Sequence, residues 1–310
     1  MSRKIIFMGT PFFAVPILKS LYQNGYEISV VYTQPPQKSQ RGQKINKSPI
    51  QGISETLNID FRTPNILKDN QEEFEFLQRL NADLAIVVAY GQIIPKKFLN
   101  LTKKGFINIH GSVLPKWRGA APIQRSIMNL DAETGISIMK IEEELDSGPI
   151  SKIYKIKIDP DHNAQEISEK LSSLAAEKIL DNIDDILDDK ARFVDQDHSK
   201  ATYAKKIDKK EGQINWKEGA KNIIGKINGL FPIPGAYFSY NGERYKILKG
   251  KIGNGTGKFG EVISDKLEIA CGNNQSIQIL EIQRQGKKPQ KIGEFMLGSK
   301  IKKGFILSNV

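Results

Sequence analysis

Four short apolar runs in the first 110 residues constrain this chain more than any other feature: KIIFMG (4–9), EISVVYT (27–33), ADLAIVVAY (82–90) and GFINIH (105–110). Runs of that length and composition suit strands covered on both faces. Helical spacing fills the intervals. Thr10-Pro11 places a proline where a first helical turn accepts it, Val15, Leu18, Leu21 and Tyr22 follow on one face, and 72–80 reads as another helix. Strands that alternate with helices predict an α/β domain whose sheet is mostly parallel and covered on both sides. GISIMKI (135–141) and ISKIYKIKI (150–158) read as more exposed strands. A long amphipathic helix is expected over 164–189, begun by an Asn163/Glu166 capping box and striped by Ile167, Leu171, Leu174, Ile179, Ile183, Ile186 and Leu187.

The pattern changes beyond this helix. Residues 190–207 lack periodicity and read as a linker, after which a short helix near 217–228 leads into GAYFSY, ERYKILKGKI, GKFGEVI, KLEIACG and SIQILEIQRQ. Short strands at close spacing with Gly-rich turns predict a small β-barrel over 208–310. A chain of 310 residues, at about 100–200 per domain, accommodates the two domains. No apolar run reaches the roughly 18 residues of a membrane span. The first apolar run is short and followed by Pro11, so it reads as a strand and not as a secretory signal. A single cysteine, Cys271, excludes an intramolecular disulfide and a multi-cysteine zinc site, and the expectation is a soluble cytoplasmic protein.

The net charge of +11 is unevenly placed: residues 1–200 carry 26 basic and 26 acidic side chains, whereas 201–310 carry 20 and 9. An excess confined to one part of a chain concentrates polyanions there. Lys205, Lys206, Lys209 and Lys210 open the basic stretch, and a second basic segment, 36–49, holds Lys38, Arg41, Lys44 and Lys47 without an acid. Two separate basic elements suit a long polyanion better than a small phosphate.

Three segments carry candidate chemistry. Asn108 and His110 close a strand at positions i and i+2, so they project from one face at the carboxyl end, where open α/β sheets place ligands. SVLPKWRGAAPIQRS (112–126) follows, with Pro122 able to start a helix, and EELDSGPI (143–150) puts Asp146 in a turn expected to be exposed. An amide, an imidazole and a carboxylate meeting in one site suit acyl transfer to an amine. The amide donates to the oxyanion while the imidazole, beside the carboxylate, moves protons. No nucleophile of the chain is needed, and Cys271 lies away from these segments. His162 and His198 lie in polar stretches without metal-ligand neighbours, FMGTPFF is not a GxGxxG fingerprint, and no GxxxxGK[ST] phosphate loop is present.

IIFMGTPFFA, VVAYGQIIP, INIHGSVLPKWRGAAPIQRSI, ETGISIMKIEEELDSGPI and TYAKKIDKKEGQINW closely resemble the methionyl-tRNA branch of the 10-formyltetrahydrofolate-dependent formyltransferase family. The resemblance implies a Rossmann-like formyltransferase domain, 1–189, followed by a basic OB-like barrel that binds tRNA. It implies transfer of formyl from 10-formyltetrahydrofolate to the amino group of methionine on initiator methionyl-tRNA; a monomer without a metal is the separate expectation. Carried over by position, Asn108, His110 and Asp146 are catalytic, and Ser112, Val113, Leu114 and Pro115 bind the folate with Gln92, Ile93 and Ile94 around the pterin. Phe13 matches an aromatic near the methionine side chain, and the 34–49 loop, Arg41 foremost, matches a segment that enters the acceptor stem. Arg118 or Lys116 is available to anionic groups of the donor. Two departures stand out: Phe12 occupies a usually acidic position, and Leu230-Phe231-Pro232-Ile233-Pro234 replaces an Asn-Pro-Trp-Pro segment. A formyltransferase acting on a small amine, and a non-catalytic RNA-binding protein on the same fold, remain alternatives at this point.

Overall fold

The computed structural model describes residues 3–38 and 45–307, which divide into two compact units. One takes in residues up to 119, 135–156 and 168–203; the other holds 120–134, 157–167 and 204 onward.

The strands of the first two-thirds are β1 (Lys4–Gly9), β2 (Glu27–Tyr32), β3 (Gln37–Lys38), β4 (Ile45–Asn46), β5 (Phe61–Arg62), β6 (Leu84–Val88), β7 (Phe106–His110), β8 (Arg118–Gly119), β9 (Glu133–Lys140), β10 (Ile150–Lys157) and β11 (Tyr203–Ala204). Seven of them form one sheet in the order β10-β9-β7-β6-β1-β2-β5. The run from β7 to β5 is parallel, and β9 is antiparallel to β7. Every residue of β6, and all of β1 after Lys4, is buried, as their near-continuous apolar composition requires. The helices are α1 (Val15–Gln23), α2 (Pro49–Thr56), α3 (Gln71–Leu80), α4 (Lys96–Leu99), α5 (Pro122–Met128) and α6 (Ala164–Leu187). The capping box of α6 is present: Asn163 Oδ1 accepts from Glu166 N at 3.0 Å and Glu166 Oε2 accepts from Asn163 N at 2.9 Å. Ile167, Leu171, Ile179 and Ile183 make its buried face.

Because β1, β6 and β7 are parallel, the segments that follow them, 10–14, 89–95 and 111–117, leave one edge of the sheet. This is the edge on which the candidate residues fall.

In the second unit β12 (Ala236–Tyr240), β13 (Glu243–Gly253), β15 (Gln275–Arg284) and β14 (Glu268–Cys271) make an antiparallel sheet in that order, with β16 (Gln290–Lys291) also on β15. Register shifts around Lys249 interrupt the long β13–β15 ladder. Such bulges bend and twist a strand pair. Trp216, Ile223, Ile227, Phe238, Ile247, Ile269 and Ile279 form its core with α7 (Ala220–Gly229), and α8 (Ile292–Leu297) adds Phe295. GKFGEVI, expected as a strand, supplies only isolated bridges at Glu261 and Val262; Gly260 at φ +80° turns the chain there.

The compact units interleave along the chain. Helix α5 packs on α7, where a Cβ on Gly225 or Gly229 would strike Leu130, Met128 or Gln124 atoms, so 120–134 goes with the second unit. Nor is the expected linker, 190–207, without structure. Val194 pairs with Ile150 in both directions, at 2.8 and 2.9 Å, and Gln196 is buried.

Ile86 sits at the centre of β6 with no exposed surface. Ile86→Ala is expected to cost about 2–5 kcal/mol of folding stability, read as a lowered denaturation midpoint with an unchanged slope.

Candidate active site

Asn108 and His110 do share one face of β7, opposite Met139 and Ser137 of β9. After Lys140 the 141–149 segment folds back along β7 and delivers Asp146 to both. Asn108 Nδ2 donates to Asp146 Oδ1 at 3.3 Å, and His110 Nδ1 lies 3.6 Å from Asp146 Oδ2. Gly119 N donates to the same Oδ2 at 2.8 Å. Asp146 is therefore not the exposed turn residue that the sequence suggested; its side chain is only 15% exposed, and its backbone takes φ +49°. The turn is tight. A Cβ on Gly148 would overlap the Lys140 carbonyl, so glycine is required at that position.

The histidine's hydrogen can be placed. Its Nε2 lies 2.9 Å from the Trp117 carbonyl oxygen, which can only accept, so Nε2 carries a hydrogen. Nδ1 is then the nitrogen that gains and loses a proton, and it faces the carboxylate. At 3.6 Å the contact is an ion pair when Nδ1 is protonated and no hydrogen bond when it is bare. The second Nδ2 hydrogen of Asn108 has no acceptor among the described residues.

The 111–118 loop is held from inside. Ser137 Oγ donates to Ser112 O at 2.7 Å and accepts from Leu114 N at 3.1 Å, while Ser112 Oγ donates to Lys116 O at 2.6 Å. Ser112 and Leu114 are buried, and Val113 and Pro115 are half-buried. Of the strip after β6, Ile93 is 89% exposed and Ile94 packs on the core. Gln92 is committed to the scaffold: its Nε2 donates to Pro64 O at 2.8 Å and its Oε1 accepts from Leu67 N at 3.1 Å. Phe13 is half-buried on the turn after β1, and its carbonyl accepts from Ser172 Oγ. Phe12 beside it is 80% exposed.

Arg118, a candidate for anionic groups, is buried instead. Its Nε and Nη2 donate to Gln196 Oε1 at 3.1 and 2.7 Å, and Nη2 also lies 3.2 Å from His198 Nδ1. Lys116 is exposed. The sequence reading missed Ser137, Trp117, Gly119 and Gln196. A serine in the otherwise apolar GISIMKI run was a usable signal for the first, while the others act through backbone groups or a lone glutamine that no pattern marks.

Of the basic candidates, Arg41 and Lys44 lie outside the described residues, as does the side chain of Lys38. Lys47 is paired with Glu55 at 2.9 Å. In the second unit Lys205, Lys206, Lys209 and Lys210 are all exposed. Arg125 binds the backbone carbonyls of Lys205 and Lys206, and its ion pair with Glu211 holds that carboxyl below its ordinary range. This fixes the 205–211 segment. Cys271 is buried in the same unit, which pushes its thiol up to about 11, so it is a poor nucleophile. Among the described residues no cluster of three His, Cys, Asp or Glu side chains is placed to hold a metal, and no helix is long and apolar enough to cross a membrane.

A cavity of about 720 Å³ opens at the other end of β7, between Phe106, Lys140 and Phe193. Two of its lysines are paired with acids, Lys96 with Glu143 and Lys104 with Asp189, and no candidate residue lines it.

Comparison with known proteins agrees with this placement of the fold. The pattern of the formyl transferase family matches residues 3–183, and that of the formyl transferase C-terminal domain matches 206–300. The methionyl-tRNA formyltransferase of Pelagibacter ubique is 66% identical over 310 residues, all of both chains. That of Mesorhizobium japonicum is 40% identical over 99% of this chain and 100% of its own. A solved sugar 3N-formyl transferase, WlaRD, crystallised in the presence of dTDP and 5-N-formyl-THF, shares the fold with a TM-score of 0.67 at 19% identity, covering 93% of this chain and all of that one.

The Trp117 contact fixes an expected spectrum. In nitrogen NMR of labelled imidazole, neutral His110 should show Nε2 as the hydrogen-bearing nitrogen and Nδ1 as the bare one; the reverse pattern would contradict the assignment.

Proposed function

We propose, for a chain that belongs to the formyl transferase family, that it transfers a formyl group from 10-formyltetrahydrofolate to the free amino group of methionine on initiator methionyl-tRNA. The observation that carries this reading is the meeting of Asn108, His110 and Asp146 at 3.3 and 3.6 Å in a chain that aligns end to end with methionyl-tRNA formyltransferases.

The donor supplies a carbonyl carbon already bonded to a nitrogen that can leave, and the residues of the chain manage charge and protons around it. The free Nδ2 hydrogen of Asn108 donates to the oxygen that gains charge as the amine adds, a contribution of about 10²–10³ in rate for such a donor. His110 Nδ1 takes the proton that the attacking nitrogen loses and passes it to the departing folate nitrogen. Nε2–H stays on the Trp117 carbonyl throughout. Asp146 steadies the imidazolium while it exists, and its second role is to orient the Asn108 amide. One carbon–nitrogen bond forms as the other breaks, and no acyl-enzyme is required. This fits a molecule whose single thiol is buried and held protonated.

The folate suits the surface offered here. Exposed Ile93 and half-buried Val113 and Pro115 present apolar area for a flat heterocycle, while Ser112 and Leu114 hold their loop from within and Gln92 braces the strip. Ile94 supports Ile93 from the core, and Phe13 is assigned to the methionine side chain. Lys38, Arg41, Lys44 and Lys47 are assigned to the acceptor stem, and Lys205, Lys206, Lys209 and Lys210 to tRNA phosphates. The protein acts in the cytoplasm as a monomer on these two substrates, and no metal takes part.

A formylation assay with methionyl initiator tRNA, methionyl elongator tRNA and small amino sugars tests the reading. Transfer is expected to the initiator tRNA; equal rates on both tRNAs, or transfer to the sugars alone, would overturn it. Asp146→Ala should slow single-turnover transfer by about 10²–10⁴-fold, since it removes the partner of the proton-carrying group. KM for tRNA should rise at least about tenfold between roughly 50 and 200 mM salt as phosphate contacts lose their counterion-release advantage, with KM for the folate nearly flat.

A further inference from the structure

We propose that Gln196 is a positioning residue for the reaction, acting through Asp146. It lies outside the strands that carry the chemistry, in a stretch without periodicity, yet it is 6% exposed and both polar atoms of its side chain are engaged. Nε2 donates to the backbone carbonyls of Asp146 at 2.9 Å and Gly148 at 2.7 Å. Oε1 accepts from both Nε and Nη2 of buried Arg118. The orientation of the amide is unambiguous, because the reversed amide would set oxygen against two carbonyls and an NH₂ against a guanidinium.

The arrangement closes a ring around the carboxylate. Arg118 holds Gln196, Gln196 holds the backbone of the Asp146 turn, and Gly119, next to Arg118, donates its N–H to Asp146 Oδ2. Trp117, the residue before, binds His110 Nε2. One three-residue stretch, 117–119, thus sets the imidazole, caps the carboxylate and anchors the glutamine that pins the turn. The turn needs pinning: Asp146 holds φ +49°, a conformation that non-glycine residues rarely adopt and that persists where surroundings over-determine it. The Ile150–Val194 pairing brings Gln196 alongside the turn. Without the two donated bonds, nothing else among the described hydrogen bonds holds the Asp146 carbonyl, and the turn that aims the carboxylate at Asn108 and His110 is left anchored by the carboxylate's own contacts alone. Displacements of about 1 Å at a reacting centre are enough to slow catalysis about 10²-fold.

This inference rests on the formyl-transfer reading for its kinetic arm only. Gln196→Glu is the informative variant, because its carboxylate keeps an acceptor for Arg118 but cannot donate to the two carbonyls. With methionyl initiator tRNA and 10-formyltetrahydrofolate, kcat is expected to fall about 10–100-fold while both KM values stay within about threefold, and the melting temperature drops because a carboxylate oxygen then faces two carbonyls. Gln196→Met, which loses both halves, should lose as much in kcat and melt lower. A second readout needs no turnover. The Gly119 amide, which donates to Asp146 Oδ2, should exchange its hydrogen markedly faster in Gln196→Glu than in the parent protein. Unchanged kcat in Gln196→Glu, or a loss of kcat with Gly119 exchange unaltered, would overturn the proposal. If the parent protein formylates no acceptor, the formyl-transfer reading fails, and faster Gly119 exchange would still support the positioning role while unaltered exchange would refute it.

Discussion

The carboxylate of Asp146 is the point through which the site is assembled. Its two oxygens receive the Asn108 amide and the Gly119 N–H and face His110 Nδ1, so strand β7 and the loop that follows it are both tied to one side chain of a later turn. Such an arrangement has to be built, because a charge that is largely removed from water is costly unless its hydrogen bonds are made. The geometry explains why the surrounding backbone is unusual. Asp146 and Trp117 both adopt positive φ, and Gly148 passes too close to the Lys140 carbonyl for any side chain. Departures from ordinary backbone concentrate where the surrounding structure can hold them, and here they sit on either side of the imidazole and the carboxylate.

The parallel sheet makes that assembly possible. Strands β1, β6 and β7 end on one edge, so the loops that leave them converge without any one of them being long. Strand β9 runs the other way, and its Ser137 uses one hydroxyl both to donate to Ser112 O and to accept from Leu114 N. A strand buried everywhere but at its two ends thereby positions the loop nearest the imidazole. Preorganisation of this kind matters more for acyl transfer than the depth of a pocket, since hydrogen-bond donors aimed at developing charge act without reorganising. It is consistent with a cavity of about 720 Å³ lying at the opposite end of β7, away from these residues.

Much of this was legible in the sequence, and the limits have physical causes. The buried strands, the α6 capping box and the i, i+2 pairing of Asn108 with His110 follow from local periodicity, which the backbone obeys wherever both faces of a strand are covered. Asp146 was visible as a residue, while its environment was not: a turn composition of Asp-Ser-Gly-Pro says nothing about whether the turn folds back over a neighbouring strand. Arg118 shows the same gap. A lone arginine among glycine and alanine reads as a surface cation, and the distant Gln196 and His198 are what meet it in the interior. The grouping of α5 with the second unit was likewise hidden, because it depends on two glycines, Gly225 and Gly229, that let helices approach and that leave no mark on hydrophobic spacing.

The distribution of charge is uneven, and in the proposed reaction that unevenness suits the different demands of proton transfer and polyanion binding. Residues 1–200, which contain the whole amide–imidazole–carboxylate assembly, are balanced at 26 basic and 26 acidic groups, and the net +11 belongs to 201–310. A strongly positive field at the reacting centre would disfavour the imidazolium on which proton transfer depends, whereas a polyanion of many phosphates gains affinity from every exposed lysine it meets. The two demands conflict if met by the same surface. Exposed Lys205, Lys206, Lys209 and Lys210 sit on a segment that Arg125 fixes through its backbone carbonyls and Glu211, so their ammonium groups stay free for an anion. Lys47 is different: Glu55 already holds it, and an exposed pair of that kind contributes only about 0–1 kcal/mol, so exchanging the carboxylate for a phosphate sacrifices little. Binding strength drawn from such weakly held cations is set largely by salt and by the number of phosphates within reach, and the geometry of Asn108, His110 and Asp146 need not change to accommodate it.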